Sequence, residues 1–249
     1  MNYKQFAPRF GFAYRLKGPT LVFRAGAGVF YDDALGSLLY AVNLSPLNTW
    51  QYLPISRNSG PILEPFSTAP ALQLPRVWEW RTALEKLFEG RSTLSVAYVG
   101  SAGRNLLRLD RNSDAANKLL TEIYFTSYGS SSYEALQAQF TGNLKPNLYT
   151  LISCTWGHSI DTGSPGSAVF LVPPGSSNAD DRGSSNFDVR HNLNASISYQ
   201  IPSTRGGFCA ACSRGWNLSS TLQARTGFPF DVTSTDRSIG VGFANTGRP

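Results

Sequence analysis

The sequence predicts an all-β fold, an antiparallel transmembrane β-barrel to which this chain contributes about eight strands. Three observations lead there. Apolar and polar residues alternate with period two over runs of about ten residues. The links between those runs are short and long by turns, and aromatic residues gather toward the run ends. Composition agrees, with 41% hydrophobic, 12% aromatic and only 15% charged residues beside 23 Gly and 15 Pro, the mix of a turn-rich β protein with enough apolar surface to fold.

The first strand, about residues 8–16, puts Phe10, Phe12, Tyr14 and Leu16 on one face and Arg9, Gly11, Ala13 and Arg15 on the other. The second, 20–31, opposes Leu21, Phe23, Ala25, Ala27, Val29 and Tyr31 to Arg24, Gly26 and Gly28. Its glycines make room on the polar side. Residues 77–87 set Trp78, Trp80 and Leu84 against Glu79, Arg81 and Glu85, a run that also fits a short helix. In 92–99, Leu94, Val96 and Tyr98 oppose Thr93, Ser95 and Ala97, and in 133–141, Leu136, Ala138 and Phe140 oppose Gln137 and Gln139. The run 148–160 alternates less cleanly. Residues 187–201 alternate longest, with Phe187, Val189, His191, Leu193, Ala195, Ile197, Tyr199 and Ile201 facing away from Asp188, Arg190, Asn192, Asn194, Ser196, Ser198 and Gln200. The eighth strand, 216–230, separates Trp216, Leu218, Leu222 and Ala224 from Asn217, Thr221, Gln223 and Arg225.

The short links are residues 17–19, about four residues around Gly90, "GNLKPN" and 202–215. The long ones are 32–76, 100–132, 161–186 and the stretch from Asp231 onward. A compact water-soluble β domain has no reason to gather all its long connections at one end. Outer-membrane barrels do, having short periplasmic turns and long outer loops, and the lipid covers their apolar face. Ile197 is therefore expected to face lipid and Asn194 the lumen. Tyr14, Tyr199 and Trp216 then fall near the periplasmic interface, and Tyr31, Tyr98, Trp78 and Trp156 near the outer one.

Other classes find little support. The net charge of +6 is spread over single basic residues with no run or stripe, so no nucleic-acid partner is expected. No stretch reaches the roughly eighteen uncharged apolar residues of a membrane helix. The opening "MNYKQFAPRF" lacks a basic region followed by an apolar one, and an internal or truncated piece of barrel is the expectation. "CAAC" at Cys209 and Cys212 admits a local disulfide or two unpaired thiols. With His158 and His191 far away in sequence, no metal site or cofactor is expected. Asp180 and Asp181 read as solvated loop charge rather than a calcium site. "GHSID" holds Ser, His and Asp without the strained strand-to-helix elbow of hydrolases, so no enzyme is expected. The remaining functional candidates are lumen-lining Arg190, Asn192, Asn194, Gln223 and Arg225, placed to contact a plug or a solute.

Six segments in order carry a resemblance: "FAPRFGFAYRLKGPTLVFRAGAGVFYD" (6–32), "LSVAYVGSAGRNL" (94–106), "SSYEALQAQF" (131–140), "SCTWGHSID" (153–161), "NFDVRHNLNASISYQIP" (186–202) and "GWNLSSTLQARTGFPFDVTS" (215–234). Together they resemble the barrel of Oar-like TonB-dependent transporters, bacterial outer-membrane proteins with a carboxypeptidase-regulatory-like domain before a plug and a barrel. The resemblance implies a barrel of about 22 strands, of which this chain holds a part, closed by a plug and energised by a TonB-type protein for uptake of a solute it does not name. A structural or adhesive barrel working through its outer loops, which are rich in Ser, Gly, Asn and Pro, is the alternative.

Overall fold

A computed structural model of the chain describes residues 5–32, 49–52, 62–68, 72–88, 92–113, 121–163, 170–171, 182–202, 215–230, 232–236 and 243–247. Eight strands run side by side: β1 (Arg9–Lys17), β2 (Leu21–Tyr31), β5 (Arg76–Phe88), β6 (Ser92–Ser113), β7 (Thr121–Lys145), β8 (Leu148–Asp161), β11 (His191–Gln200) and β12 (Asn217–Arg225). Each pairs antiparallel with the next in that order, and β1 and β12 are the two edges of an open sheet. Shorter strands attach at its flanks. They are β3 (Thr49–Tyr52), β4 (Ile62–Thr68), β9 (Phe170–Leu171) and β10 (Gly183–Ser184), while β13 (Val232–Asp236) and β14 (Phe243–Gly247) pair only with each other.

The register explains why alternation in sequence becomes a two-faced wall. Phe12 stands opposite Ala25, Ala25 opposite Thr82, Thr82 opposite Tyr98, Tyr98 opposite Leu136, Leu136 opposite Trp156 and Trp156 opposite His191. Because the parity holds along these ladders and shifts only at bulges outside their central stretches, the apolar residues of all eight strands share one side of the sheet. Among the described residues no second layer covers it. Phe12, Trp156 and Leu222 are 56%, 59% and 56% exposed, and the buried hydrophobic residues among those described are three alanines, Ala83, Ala97 and Ala135. A water-soluble sheet would have to bury such a face, at roughly 1.5–3 kcal/mol for each large side chain. Here the apolar surface is continuous and outward.

Local chemistry sets the ends. The β7–β8 hairpin turns on Lys145-Pro146-Asn147-Leu148, with Asn147 at φ 64°. Pro fixes the first central residue and Asn accepts the positive φ of the second, as a type II turn requires. Just before it, Gly142 at φ 146° lies against Ser92, whose hydroxyl accepts from Asn143 N at 3.1 Å and donates to Asn143 O at 3.2 Å. On the apolar face Trp80 stands opposite Gly100 and its indole occupies the space a Cβ there would need. The large ring shields backbone that glycine leaves bare.

Several expected boundaries move. The run 77–87 is strand, not helix, because β5 is gripped on both sides by β2 and β6. Residues 100–132, expected as a long connection, are mostly extensions of β6 and β7, paired as far as Ser113 with Thr121. Their sequence mixes apolar residues such as Leu106, Leu107 and Leu109 with glycine, serine and charged residues without regular alternation, and so hides strand where no continuous apolar face is required. The strand expected over 187–201 begins only at His191, and the one expected over 216–230 ends at Arg225. At one end the links are short apart from the longer β11–β12 connection, and at the other β2–β5 and β8–β11 are joined by long segments while the extended β6 and β7 are joined by a short one.

Candidate functional site

Among the described residues, the polar face of the sheet gathers the side chains able to recognise a ligand, and it has two regions. Over β8, β11 and β12 it is almost uncharged. Asn192 lies between Thr155 and Arg225, and Asn194 between Ser153 and Gln223. Asn194 Nδ2 donates to Asn192 Oδ1 at 3.3 Å, and farther along Ser198 Oγ donates to Asn217 Oδ1 at 2.8 Å. The Arg225 guanidinium rests over the Phe228 ring, 4.9 Å from its centroid, a cation–π contact that holds the charge to one side. Four of the five sequence-chosen residues, Asn192, Asn194, Gln223 and Arg225, thus form one block.

Arg190 stands apart. Residues 185–190 leave the ladder, and Arg190 Nε meets Asp188 Oδ2 at 3.1 Å while its Nη2 meets His158 Nε2 at 3.1 Å. His158 Nδ1 reaches the same Asp188 Oδ2 at 3.0 Å, and Ser159 N donates to Asp188 Oδ1 at 2.8 Å. A proton on Nδ1 satisfies both histidine contacts at once. The carboxylate replaces the carbonyl a neighbouring strand would have offered Ser159. Since His158 Nε2 faces a guanidinium, it is not aimed at a serine hydroxyl as a hydrolytic base would be. The alternation that drew Arg190 into a strand could not show this break.

Sequence reasoning missed the second region, on β1, β2 and β5. Arg24 Nε pairs with Glu85 Oε2 at 2.8 Å, and Arg9 lies across Gly28 with its guanidinium 4.4 Å from the Phe30 ring centre. Arg9, Glu79 and Arg81 line one hollow of this face. Each had appeared on the polar side of its own strand, but only the register brings them together. Cys154 is a free, exposed thiol on the apolar side, while Asp180, Asp181, Cys209 and Cys212 lie outside the described residues.

A family model described as an outer membrane beta barrel domain matches residues 1–249. The chain belongs to this outer-membrane β-barrel family. No curated protein matches it in sequence. Among solved structures it is similar to the outer membrane transporter YddB from Escherichia coli, at 13% identity and a TM-score of 0.57 over 86% of this chain and 28% of that one. It is also similar to the siderophore receptor PirA from Pseudomonas aeruginosa, at 13% identity and a TM-score of 0.51 over 88% of this chain and 33% of that one. The chain therefore spans about a third of their length or less. The open sheet is part of an outer-membrane barrel, its apolar face meets lipid, and the protein resides in the bacterial outer membrane.

Proposed function

We propose that residues 1–249 form part of the wall of a TonB-dependent transporter, of the Oar-like kind, that takes up a solute across the outer membrane with energy from the inner membrane. What carries the reading is the two-faced wall itself, whose fold matches that of outer-membrane transport proteins. On this reading the whole barrel encloses a wide lumen, and a wide lumen must be plugged to keep the membrane tight. Opening a plug without a nucleotide in the periplasm calls for a mechanical partner, here a TonB-type protein. On this reading Asn192, Asn194, Gln223 and Arg225 line the lumen, and Arg190 serves the rim. The plug, the carboxypeptidase-regulatory-like domain and the TonB-binding segment belong to sequence outside residues 1–249.

The test is uptake by cells carrying the full-length parent gene. Uptake is expected to stop when the TonB-type protein is deleted or the proton gradient is collapsed. Uptake unchanged by either treatment would reject energised transport, and surface adhesion without any uptake would favour an adhesive barrel.

A further inference from the structure

At the end of the sheet away from the short links, the polar face carries a hollow of about 410 Å³, within the size range of small-molecule sites. Tyr133 of β7 forms one wall. Gly157 and Ala135 create its seat, since a Cβ at Gly157 would stand 3.2 Å from both the Tyr133 hydroxyl and its ring edge and 2.9 Å from Ala135 Cβ. With glycine there, the ring extends over the neighbouring strand. Phe187, expected on the apolar side with β11, instead lines this hollow from the segment before that strand and is 57% exposed. Two aromatic rings therefore border one space.

The polar groups between them are of one type. Ser101 stands opposite Tyr133, and Thr155 opposite Asn192. The side chains of Ser101, Tyr133 and Thr155 show no hydrogen-bond partner among the described residues, and Asn192 uses only its oxygen, toward Asn194. Asp188 is the one acid at the hollow, yet it is 4% exposed and both its oxygens are occupied by Ser159, His158 and Arg190. The hollow thus offers hydroxyls, an amide N–H and aromatic rings, with no free charge of its own.

We infer that this hollow binds a neutral carbohydrate, a sugar ring packing its C–H face on Tyr133 or Phe187 while Ser101, Thr155 and Asn192 bond its hydroxyls. Hydroxyls that both donate and accept match sugar hydroxyls in either direction, whereas an anion or a cation would find nothing here to neutralise it. The inference rests on the transporter reading for its biological sense, because it names the class of solute the lumen wall would select.

Titration calorimetry on the detergent-purified full-length parent, with cellobiose, maltose, lactose and chitobiose as probes and tripeptides and glucuronic acid as comparisons, tests it. At least one neutral disaccharide is expected to bind. Tyr133→Ala and, independently, Asn192→Ala are each expected to weaken it about tenfold, the scale of one lost contact that had satisfied buried partners, while Thr221→Ala elsewhere on the polar face leaves it unchanged. Heat-modified gel mobility confirms that each variant retains its barrel. Binding of only the tripeptides or the acid, no saccharide binding, or saccharide binding untouched by both hollow variants would overturn the proposal. Binding is read without any TonB-type protein, so loss of energised uptake with saccharide binding intact would count against the transporter reading alone.

Discussion

At the scale of single residues, which side a residue faces decides its value. Ile197 stands opposite Thr150 and Ser220 on the apolar face and is 41% exposed there, whereas Asn194, three positions earlier, lies on the polar face between Ser153 and Gln223. Ile197→Arg in the full-length parent is expected to destabilise the barrel by about 2–4 kcal/mol if the site lies near the bilayer midplane, since lipid offers a guanidinium neither water nor a counter-charge. Asn194→Arg should cost far less. Chemical unfolding read by heat-modified gel mobility distinguishes them, and equal losses would reject this assignment of the faces. This much was legible beforehand because a period of two needs only one strand to be read. Trp80 over Gly100, and Tyr133 over Gly157, were not legible, since each pairs residues on different strands.

At the scale of elements, the sequence announced strands wherever one face had to be apolar and missed them elsewhere. β6 and β7 continue together past Gly103 without regular alternation, through bulges around Arg104, Leu106 and Arg108 where Asn105 takes φ 57°. Arg108, only 5% exposed, donates to Thr162 O at 3.2 Å, and Thr162 accepts from Ser130 N at 2.9 Å, so the long hairpin is stitched to the end of β8 by polar bonds. Nothing in a hydrophobicity pattern records such bonds. The opposite error occurs at residues 187–190, where alternation continues but the chain leaves the ladder. There Ser185 N donates to Ser159 O at 2.9 Å, Gly157 N to Arg190 O at 3.0 Å, and the Asp188 carboxylate takes the Ser159 N–H between them. Asp188→Ala leaves that amide and two cationic or polar partners unmatched, and is expected to favour local opening of residues 182–190 by about 1–3 kcal/mol. Asp188→Asn keeps an acceptor and should cost less. Hydrogen exchange at the Ser159 amide measures both, and protection unchanged in the alanine variant would show that the clasp contributes nothing to closure.

At the scale of the whole molecule, the asymmetry of the links becomes an orientation. β1 and β2 are joined by three residues, Gly18–Thr20, and β7 and β8 by the turn at Pro146 and Asn147, while β2 to β5 and β8 to β11 are joined by long segments that carry their own short strands. Tyr14, Tyr199 and Trp216 lie toward the short-link end, and Tyr31, Trp78 and Trp156 toward the other, in keeping with aromatic belts at two interfaces. Outer-membrane barrels fold with short turns in the periplasm, so the hairpin ending at Lys145 is expected inside the cell envelope and Arg182, in the β8–β11 segment, at the cell surface. With the native cysteines replaced by serine, Arg182→Cys in the full-length parent should react with a membrane-impermeant maleimide on intact cells. Lys145→Cys should react only after the outer membrane is permeabilised. The two positions are both exposed, so a difference in labelling reports the membrane between them rather than burial. The reverse pattern would turn the sheet over in the membrane, and would move the hydroxyl-lined hollow beside Tyr133 from the outer mouth of the lumen, where an arriving solute is first met, to its periplasmic exit.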